Sequence, residues 1–253
     1  MKKIIFLLAF IASIAHAREP SVLLFNATDN RIEYSKNANE IKSIASITKI
    51  MTAMVALDYN KDLDRKLMLS NSVRSRLPRQ EYTREQLLNA MLINSDNAAA
   101  ETIAQDYPGG RAAFIAEMNF HAHLWGMTNT HFNDPSGLGV FNTSTVHDVT
   151  SMLEAAKGYW FILDATNTKH MIQPKYKKKS KMVALSHTSG ELLSTFDNVT
   201  ISKTGLTNAA GWCVAMVANQ NNKEYIIVVL GSKTKRDRLV TVKNIMSHKK
   251  QTN

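Results

Sequence analysis

The feature that most constrains the fold is a largely apolar segment, residues 50–57, that directly follows Ser46 and Lys49. Apolar side chains recur there at three- and four-residue intervals, which predicts an amphipathic helix with one face turned to a core. Ser46 is expected to open this helix, beside free backbone N–H groups and the positive end of the helix dipole. Lys49 would then lie one turn along the same face. This spacing brings a hydroxyl and an amine close enough to act as a nucleophile and its base.

The Ser-x-x-Lys spacing alone is a weak indication, because the chain contains it three times. The other two pairs are Ser232 with Lys235 and Ser247 with Lys250. A serine at a helix N-cap followed by a solvated lysine is a common structural arrangement without catalytic meaning. A catalytic interpretation of Ser46 therefore needs further polar groups downstream.

The first 17 residues have the organisation of a secretory signal peptide. Lys2 and Lys3 precede an apolar run of eleven residues, and Ala15-His16-Ala17 forms a small-x-small cleavage site. The apolar run is too short for a membrane span, which takes about twenty residues. We therefore expect residues 1–17 to be a signal peptide that is removed, and the mature protein to be periplasmic.

The mature chain would carry 29 basic and 21 acidic residues, a net charge of +8. Such a charge attracts polyanions, among them nucleic acid, anionic lipid and acidic wall polymers. Export makes nucleic acid the least suitable of these partners. Lysines are densest at residues 175–181, which predicts a solvated loop or a contact to an acidic polymer.

The two ends of the chain have the patterns of strands, and the middle has the patterns of helices. Strands are predicted at 21–26, 31–34, 199–204, 212–218 and 225–230, and helices at about 84–94, 98–104, 111–124, 145–156 and 235–247. This order predicts an α+β fold in which both chain ends form one antiparallel sheet with flanking helices and an inserted helical subdomain. We expect a single catalytic domain at 18–253, with its sheet from about 20–60 and 190–253 and its helical part at about 60–185.

Two polar tripeptides stand where side chains can project into a cleft. Ser95-Asp96-Asn97 lies between two predicted helices, and Lys203-Thr204-Gly205 ends a predicted strand. The glycine there would let a ligand lie against the strand backbone. Each tripeptide alone is a weak indication, but Ser-x-x-Lys, Ser-Asp-Asn and Lys-Thr-Gly in this order are typical of penicillin-binding proteins and class A β-lactamases.

The chain resembles the low-molecular-mass penicillin-binding proteins, the D-alanyl-D-alanine carboxypeptidase and endopeptidase family, and is most similar to the endopeptidase branch. The resemblance covers about residues 21–230 and includes the substrate strand at 203–211. The stretch Tyr107-Pro108-Gly109-Gly110 is typical of the endopeptidases. Segments 134–138 and 142–145 match two further family blocks, which we expect to be structural. The resemblance implies the β-lactamase/penicillin-binding transpeptidase-like fold.

The resemblance also implies a role for each matched residue. Ser46 would attack the carbonyl of the penultimate D-alanine and form an acyl-enzyme, with Lys49 as its base and Ser95 as a proton relay. Burial and the nearby charge of Lys203 should lower the pKa of Lys49 and keep its amine neutral. The backbone N–H groups of Ser46 and Leu206 would form the oxyanion hole. The residues implied to bind substrate are Asn97, Lys203, Thr204, Gly205 and Leu206.

A class A β-lactamase needs a glutamate with an asparagine four residues later to activate its deacylating water, and no glutamate between 97 and 203 has this partner. We therefore expect β-lactams to acylate Ser46 and to leave slowly, as covalent inhibitors. Family carboxypeptidases commonly carry an extra β-domain and a C-terminal amphipathic membrane helix. This chain stops soon after its last strand, so we expect no stable membrane anchor.

The sequence thus predicts a periplasmic serine D-alanyl-D-alanine endopeptidase that acts on the stem peptides of peptidoglycan. One alternative is a D-alanyl-D-alanine carboxypeptidase acting on pentapeptides that are not cross-linked. A second is a non-catalytic peptidoglycan-binding module that uses the basic residues 175–181. We expect no metal, no cofactor and no nucleic-acid partner, and the sequence leaves the oligomeric state open.

Overall fold

A computed structural model describes residues 19–173, 183–196 and 198–247. The predicted signal peptide and the basic run at 175–181 lie outside the described residues, so both stay predictions. Within the described ranges, no helix combines the length and apolarity that crossing a membrane requires.

Eleven strands and eight α-helices form the described part of the chain, and a short 3-10 turn, Ala45–Thr48, precedes the first helix. In chain order they are β1 (Ser21–Asn26), β2 (Arg31–Lys36), β3 (Lys42–Ser43), α1 (Lys49–Tyr59), β4 (Lys66–Met68), β5 (Glu81–Thr83), α2 (Arg84–Ile93), α3 (Asn97–Gln105), α4 (Gly110–Leu124), β6 (Thr143–Ser144), α5 (Val146–Ala156), α6 (Trp160–Asn167), β7 (His170–Gln173), β8 (Val183–Ser186), α7 (Gly190–Thr195), β9 (Val199–Thr207), β10 (Gly211–Gln220), β11 (Lys223–Ser232) and α8 (Lys235–Ser247).

The main sheet has five strands in the order β2-β1-β11-β10-β9, and every neighbouring pair is antiparallel. β1 pairs with β11 from Ser21 opposite Leu230 to Asn26 opposite Tyr225, so the two ends of the chain meet in the centre of the sheet. The predicted sheet of both chain ends is therefore confirmed. β9 is the last strand in this order, so one of its edges has no partner strand in the sheet.

The sheet separates two apolar cores, because successive side chains of a strand point to opposite faces. Val214 and Met216 of β10 pack on one side with Met246 of α8. Ala215 and Val217 of the same strand belong to the larger core, which α1 to α6 fill, while α7 joins α8 on the first side through Leu192 and Leu193. The predicted basic helix at 235–247 is confirmed as α8, and it packs on β10 and β11.

α1 runs through the middle of the helical part, and its contacts reach α2, α3, α4, α5 and α6. Each of its residues from Lys49 to Ala56 is buried, so the prediction of an amphipathic helix is wrong. A helix that is buried on all sides needs hydrogen-bond partners for its polar side chains. The hydroxyl of Thr52 finds one in the carbonyl oxygen of Pro135, at 2.6 Å.

Helices with local capping sequences begin where the sequence predicts. Thr83 and Gln86 form a reciprocal capping box at the start of α2, with hydrogen bonds of 3.2 and 3.0 Å. The hydroxyl of Thr145 likewise accepts the N–H of Asp148 at the start of α5, at 3.1 Å. α6 and α7 were not predicted, and neither has a side-chain cap that would mark its beginning.

Candidate active site

Ser46 lies in the 3-10 turn that leads into α1, not at the start of the α-helix itself. The prediction that Ser46 opens the helix is therefore wrong by one short turn. Neither the turn nor α1 has a side-chain cap, so the Ser46 hydroxyl is not used for capping. Ala45 has a φ of 46°, a left-handed conformation that is uncommon for alanine. The turn holds the Ser46 side chain half-buried at a cleft.

Two glycines allow other segments to reach this turn. A Cβ atom at Gly205 would lie 2.8 Å from the carbonyl oxygen of Ile44, and one at Gly137 would overlap the carbonyl group of Ala45. We expected Gly205 to make room for a ligand, but β9 itself needs that room to pack beside Ser46. Larger residues at either position would displace the turn.

Lys49 is completely buried, and its amine contacts the Ser46 hydroxyl. Nζ lies 2.9 Å from Ser46 Oγ, 2.8 Å from Asn97 Oδ1 and 2.5 Å from the carbonyl oxygen of Ser136. A neutral amine has two N–H donors and one lone pair. It can donate to the Asn97 and Ser136 oxygens, which cannot donate, and accept the hydroxyl hydrogen of Ser46.

Burial lowers the pKa of Lys49 to about 7, against the opposing fields of Asp134, Asp96 and Glu101. The expected direction is therefore present, and burial is its main cause. The expected contribution from the charge of Lys203 is not among the causes. Repulsion between the two amines instead acts on Lys203, whose pKa burial already holds well below its usual value.

Lys203 and Ser95 form a second buried pair of amine and hydroxyl. Lys203 Nζ donates to Ser95 Oγ at 2.9 Å and to the carbonyl oxygen of Thr204 at 3.1 Å. Ser95 has a φ of 60° in the short connection between α2 and α3, which projects its side chain toward β9. Ser46 and Ser95 thus each have a buried lysine of their own.

The side chain of Asp96 accepts hydrogen bonds from α3 and from a neighbouring loop, and none from the two amines. Its Oδ1 accepts the N–H of Ala99 at 2.9 Å and caps α3, so Asn97 lies in the first turn of that helix. Its Oδ2 accepts from Ser75 Oγ at 2.7 Å and from the N–H of Arg76 at 2.9 Å. This carboxylate therefore fixes both α3 and a neighbouring loop.

The segment at 134–138, one of the two expected to be structural, also supplies a direct contact to Lys49. Asp134 accepts the N–H groups of Ser136, Gly137 and Gly139, at 2.8, 2.6 and 3.1 Å. Asn142 ties this segment to the 3-10 turn at Ala45–Thr48, because its amide donates both to the Asp134 carbonyl and to Thr48 Oγ1. These bonds aim the Ser136 carbonyl at Lys49. The sequence predicted a turn here but not the contact of the Ser136 carbonyl with Lys49, because a backbone acceptor has no side-chain signature.

Thr188 is another residue that sequence reasoning missed. Its hydroxyl accepts a hydrogen bond from Thr204 Oγ1 at 2.9 Å, and its N–H bonds to the carbonyl of Ile93 at 3.1 Å. It follows β8 in a segment without a recognisable pattern. Thr188 therefore orients one of the predicted substrate-binding hydroxyls.

A cleft of about 1010 Å³ joins these groups. Ser46, Ser95 and Asn97 line it, as do Thr204, Gly205 and Leu206 of β9. The charged residues that line the cleft are Arg74, Arg76, Asp96, Lys235 and Arg238. The cleft is therefore strongly cationic, and the predicted residues Ser46, Lys49, Ser95, Asn97, Lys203, Thr204, Gly205 and Leu206 all lie in it or directly beneath it.

Of the other two Ser-x-x-Lys pairs, the one that the structure fully describes has no comparable surroundings. Lys235 forms an ion pair with Glu191 at 2.8 Å, while the Ser232 hydroxyl is buried without a hydrogen-bond partner. Lys250 lies outside the described residues. Only the Ser46 pair thus combines a half-exposed hydroxyl with a buried amine among the pairs that the structure describes.

Comparisons with known proteins agree with this geometry. A model of the family described as D-alanyl-D-alanine carboxypeptidase matches residues 9–234. D-alanyl-D-alanine endopeptidases of Escherichia coli (strain K12) and Pseudomonas aeruginosa are 37% and 34% identical, each over 83% of this chain and 70% of the relative.

Solved structures extend the comparison to the fold. The Streptomyces K15 DD-transpeptidase is 29% identical with a TM-score of 0.82, covering 89% of this chain and 94% of that one. Penicillin-binding protein D2 from Listeria monocytogenes, in its ampicillin-bound form, is 27% identical with a TM-score of 0.79, covering 90% and 95%. The predicted transpeptidase-like fold is confirmed. The chain is a serine hydrolase and belongs to the D-alanyl-D-alanine carboxypeptidase family of peptidases.

Proposed function

We propose that this chain is a periplasmic D-alanyl-D-alanine endopeptidase that hydrolyses peptidoglycan cross-links through an acyl-enzyme on Ser46. The observation that carries the proposal is the 2.9 Å contact between Ser46 Oγ and the buried amine of Lys49, which has only neutral hydrogen-bond partners. The preference for cross-links rests on the two relatives named endopeptidases.

Acylation begins when the neutral amine of Lys49 takes the proton of Ser46 and Oγ attacks the carbonyl carbon of the D-alanine. The carbonyl oxygen becomes an oxyanion, for which we assign the N–H groups of Ser46 and Leu206. The close packing of Gly205 against the Ser46 backbone supports this assignment, since it brings the two segments together. Donors of this kind typically contribute about 3 kcal/mol each.

Collapse of the tetrahedral intermediate expels the amine of the second stem peptide, which must receive a proton. Ser95 is the group we assign to relay to this amine the proton that Lys49 took from Ser46, which leaves Lys49 neutral again; its hydroxyl is held by Lys203 at 2.9 Å. Lys203 thus orients the Ser95 hydroxyl. Asn97 positions Lys49 through its Oδ1 atom.

Hydrolysis of the acyl-enzyme reverses these roles, with Lys49 taking a proton from water as the water attacks the ester and giving it to Ser46 Oγ as the ester bond breaks. A β-lactam would form the same ester, but its opened ring stays attached and no amine departs. We therefore propose that β-lactams are slowly released covalent inhibitors. The ampicillin-bound and cefotaxime-bound forms of the Listeria relative support this proposal.

Carboxypeptidase activity is the second candidate, and one feature of the cleft favours it. Arg238 is 2% exposed, lines the cleft and donates to the carbonyl of Cys213, while its side chain forms no ion pair with a described residue. A buried cation beside Lys203 suits the free carboxylate of a terminal D-alanine. A non-catalytic binding module would not need two buried lysine–serine pairs.

The test uses purified protein with cross-linked muropeptide dimers and, separately, with free pentapeptide. We expect the wild type to convert dimers to monomers and to bind labelled penicillin, and the Ser46→Ala variant to do neither. The matched control is Ser247→Ala, which alters another Ser-x-x-Lys pair far along the chain. Release of terminal D-alanine without dimer cleavage would establish the carboxypeptidase, and binding to wall polymer without any product would establish the module.

A further inference from the structure

The loop between β4 and β5, residues 69–80, brings two arginines to the cleft that the proposed mechanism does not use. Arg74 and Arg76 both line the cleft and both have exposed side chains. Neither guanidinium forms an ion pair with any residue that the structure describes. Arg76 uses one N–H on Asn94 Oδ1, at 3.3 Å, and its other donors remain available.

The loop is fixed relative to the catalytic residues. Leu77 is buried and anchors the loop in the core, and the N–H of Leu69 bonds to the carbonyl of Gln80 at 3.1 Å. Asp96 accepts from Ser75 and Arg76 on this loop and also caps α3, which carries Asn97. One buried carboxylate therefore sets the distance between the arginine pair and the catalytic groups.

The two arginines face a cleft with almost no compensating negative charge. Asp96 is the only carboxylate among the lining residues, and its oxygens are occupied by the loop and the helix cap. Guanidinium groups present a planar set of donors that matches a carboxylate in two-point contact. A ligand with a carboxylate at this edge would gain charge-assisted hydrogen bonds without displacing an internal ion pair.

We propose that Arg74 and Arg76 bind a stem-peptide carboxylate other than the one beside the scissile bond, and so select cross-links whose carboxylates are free and not amidated. This inference rests on the proposed function, because it names the substrate that the same cleft prefers. Two residues of a stem peptide can supply such a carboxylate, the glutamyl residue and the diamino acid. Penicillins contain neither, so their reaction with Ser46 should not depend on the pair.

The experiment compares the Arg74→Gln/Arg76→Gln double variant with the wild type on three dimers: unamidated, amidated on the glutamyl residue, and amidated on the diamino acid. For the unamidated dimer, we expect kcat/KM to fall about tenfold to a hundredfold in the double variant, the range for hydrogen bonds to charged groups. Amidating the recognised carboxylate should cost the wild type a similar factor and the double variant nothing further. The matched control is Arg79→Gln, an exposed arginine of the same loop that does not line the cleft.

Three outcomes would overturn the inference. Equal kcat/KM for the double variant and the wild type would show that the pair binds no carboxylate. An equal loss on all three dimers would assign the pair a general electrostatic effect. A parallel loss of penicillin acylation would mean that the loop supports the catalytic groups structurally. If the wild type cleaves no dimer while still binding penicillin, the proposed function has failed and not this inference alone.

Discussion

A buried basic side chain lies at each end of α1, and the two side chains have different kinds of hydrogen-bond partner. At the C-terminal end, the Arg84 guanidinium donates to the carbonyl of Ala56 at 2.9 Å and forms an ion pair with Asp106 at 2.7 Å. At the N-terminal end, the amine of Lys49 meets a hydroxyl, an amide oxygen and a peptide carbonyl, and no carboxylate. Both side chains are almost fully buried, so the difference lies in their partners.

This difference separates a structural charge from a reactive amine. Burial lowers the pKa of Arg84, but Asp106 raises it, and a guanidinium stays protonated at any physiological pH. Lys49 has more distant carboxylates, and they do not offset the burial that brings its pKa to about 7. We therefore propose that the N-terminal site holds the base, while the C-terminal site holds a permanent ion pair.

Replacing Lys49 removes the proposed base at the N-terminal end of α1. The Lys49→Met variant keeps the volume of the side chain but has no proton acceptor, so acylation by labelled penicillin should slow by about 10²- to 10⁴-fold. A stopped-flow or gel-based acylation rate measures this loss. The free energy of unfolding of Lys49→Met should fall less than that of a variant in which a buried charge loses its partner. A Lys49→Met protein that acylates at the wild-type rate would exclude Lys49 as the base.

Removing the carboxylate at the other end should affect stability instead of chemistry. In Asp106→Asn, both Arg84 and Arg65 lose their carboxylate partner. We expect the free energy of unfolding to fall by about 3–5 kcal/mol, because a buried charge is left without compensation. Urea denaturation with an unchanged slope measures it, and the folded protein should acylate normally. Asp164→Asn, an exposed position on α6, should change stability by less than about 0.5 kcal/mol.

A carboxylate can also be placed beside Lys49, so that the N-terminal site of α1 resembles the ion pair of Arg84 and Asp106. Asn97→Asp would place a carboxylate at the position whose oxygen now lies 2.8 Å from Lys49 Nζ. An opposite charge at this distance raises a lysine pKa by about 1–3 units, so acylation at pH 7 should slow and then recover at higher pH. Asn97→Ala is the control, since it removes the hydrogen bond without adding a charge. Recovery at high pH in the alanine variant as well would contradict this electrostatic explanation.

A smaller effect is expected where a neutral hydrogen bond only orients the site. Thr188→Val removes the acceptor of the Thr204 hydroxyl but leaves both buried lysines untouched. One neutral hydrogen bond contributes about 1 kcal/mol, so kcat/KM for dimers should fall about fivefold. The pH dependence of acylation should not move. A shift in that pH dependence would mean that Thr188 influences the amines as well.

Local patterns predicted the sheet, most of the helices and the side chains that the structure brings together at the cleft. The capping box of Thr83 and Gln86 identified the start of α2 because every atom involved lies within four residues. The complete burial of α1 was not predictable in this way. Thr52 and Lys49 look like the polar face of a surface helix until their partners at Pro135 and Ser136, more than eighty residues away, are known.

The candidate site likewise has residues that local patterns predict and residues that only the assembled fold brings into place. Ser46, Lys49, Ser95 and Lys203 are side chains in a recognisable order, so the sequence predicted them. The Ser136 carbonyl and the Thr188 hydroxyl act through long-range packing and belong to no such order. Of the two predicted causes of the low Lys49 pKa, burial is confirmed, but the charge of Lys203 is not among the causes.

The pH dependence of Ser46 acylation tests the central claim most directly. A pKa of about 7 means that Lys49 is protonated below that pH and free to accept the serine proton above it. We therefore predict that the penicillin acylation rate of the wild type rises through an apparent pKa near 7, levels off at higher pH, and loses this dependence in Lys49→Met. A rate that keeps rising toward pH 10, the range of an ordinary lysine, would contradict the account.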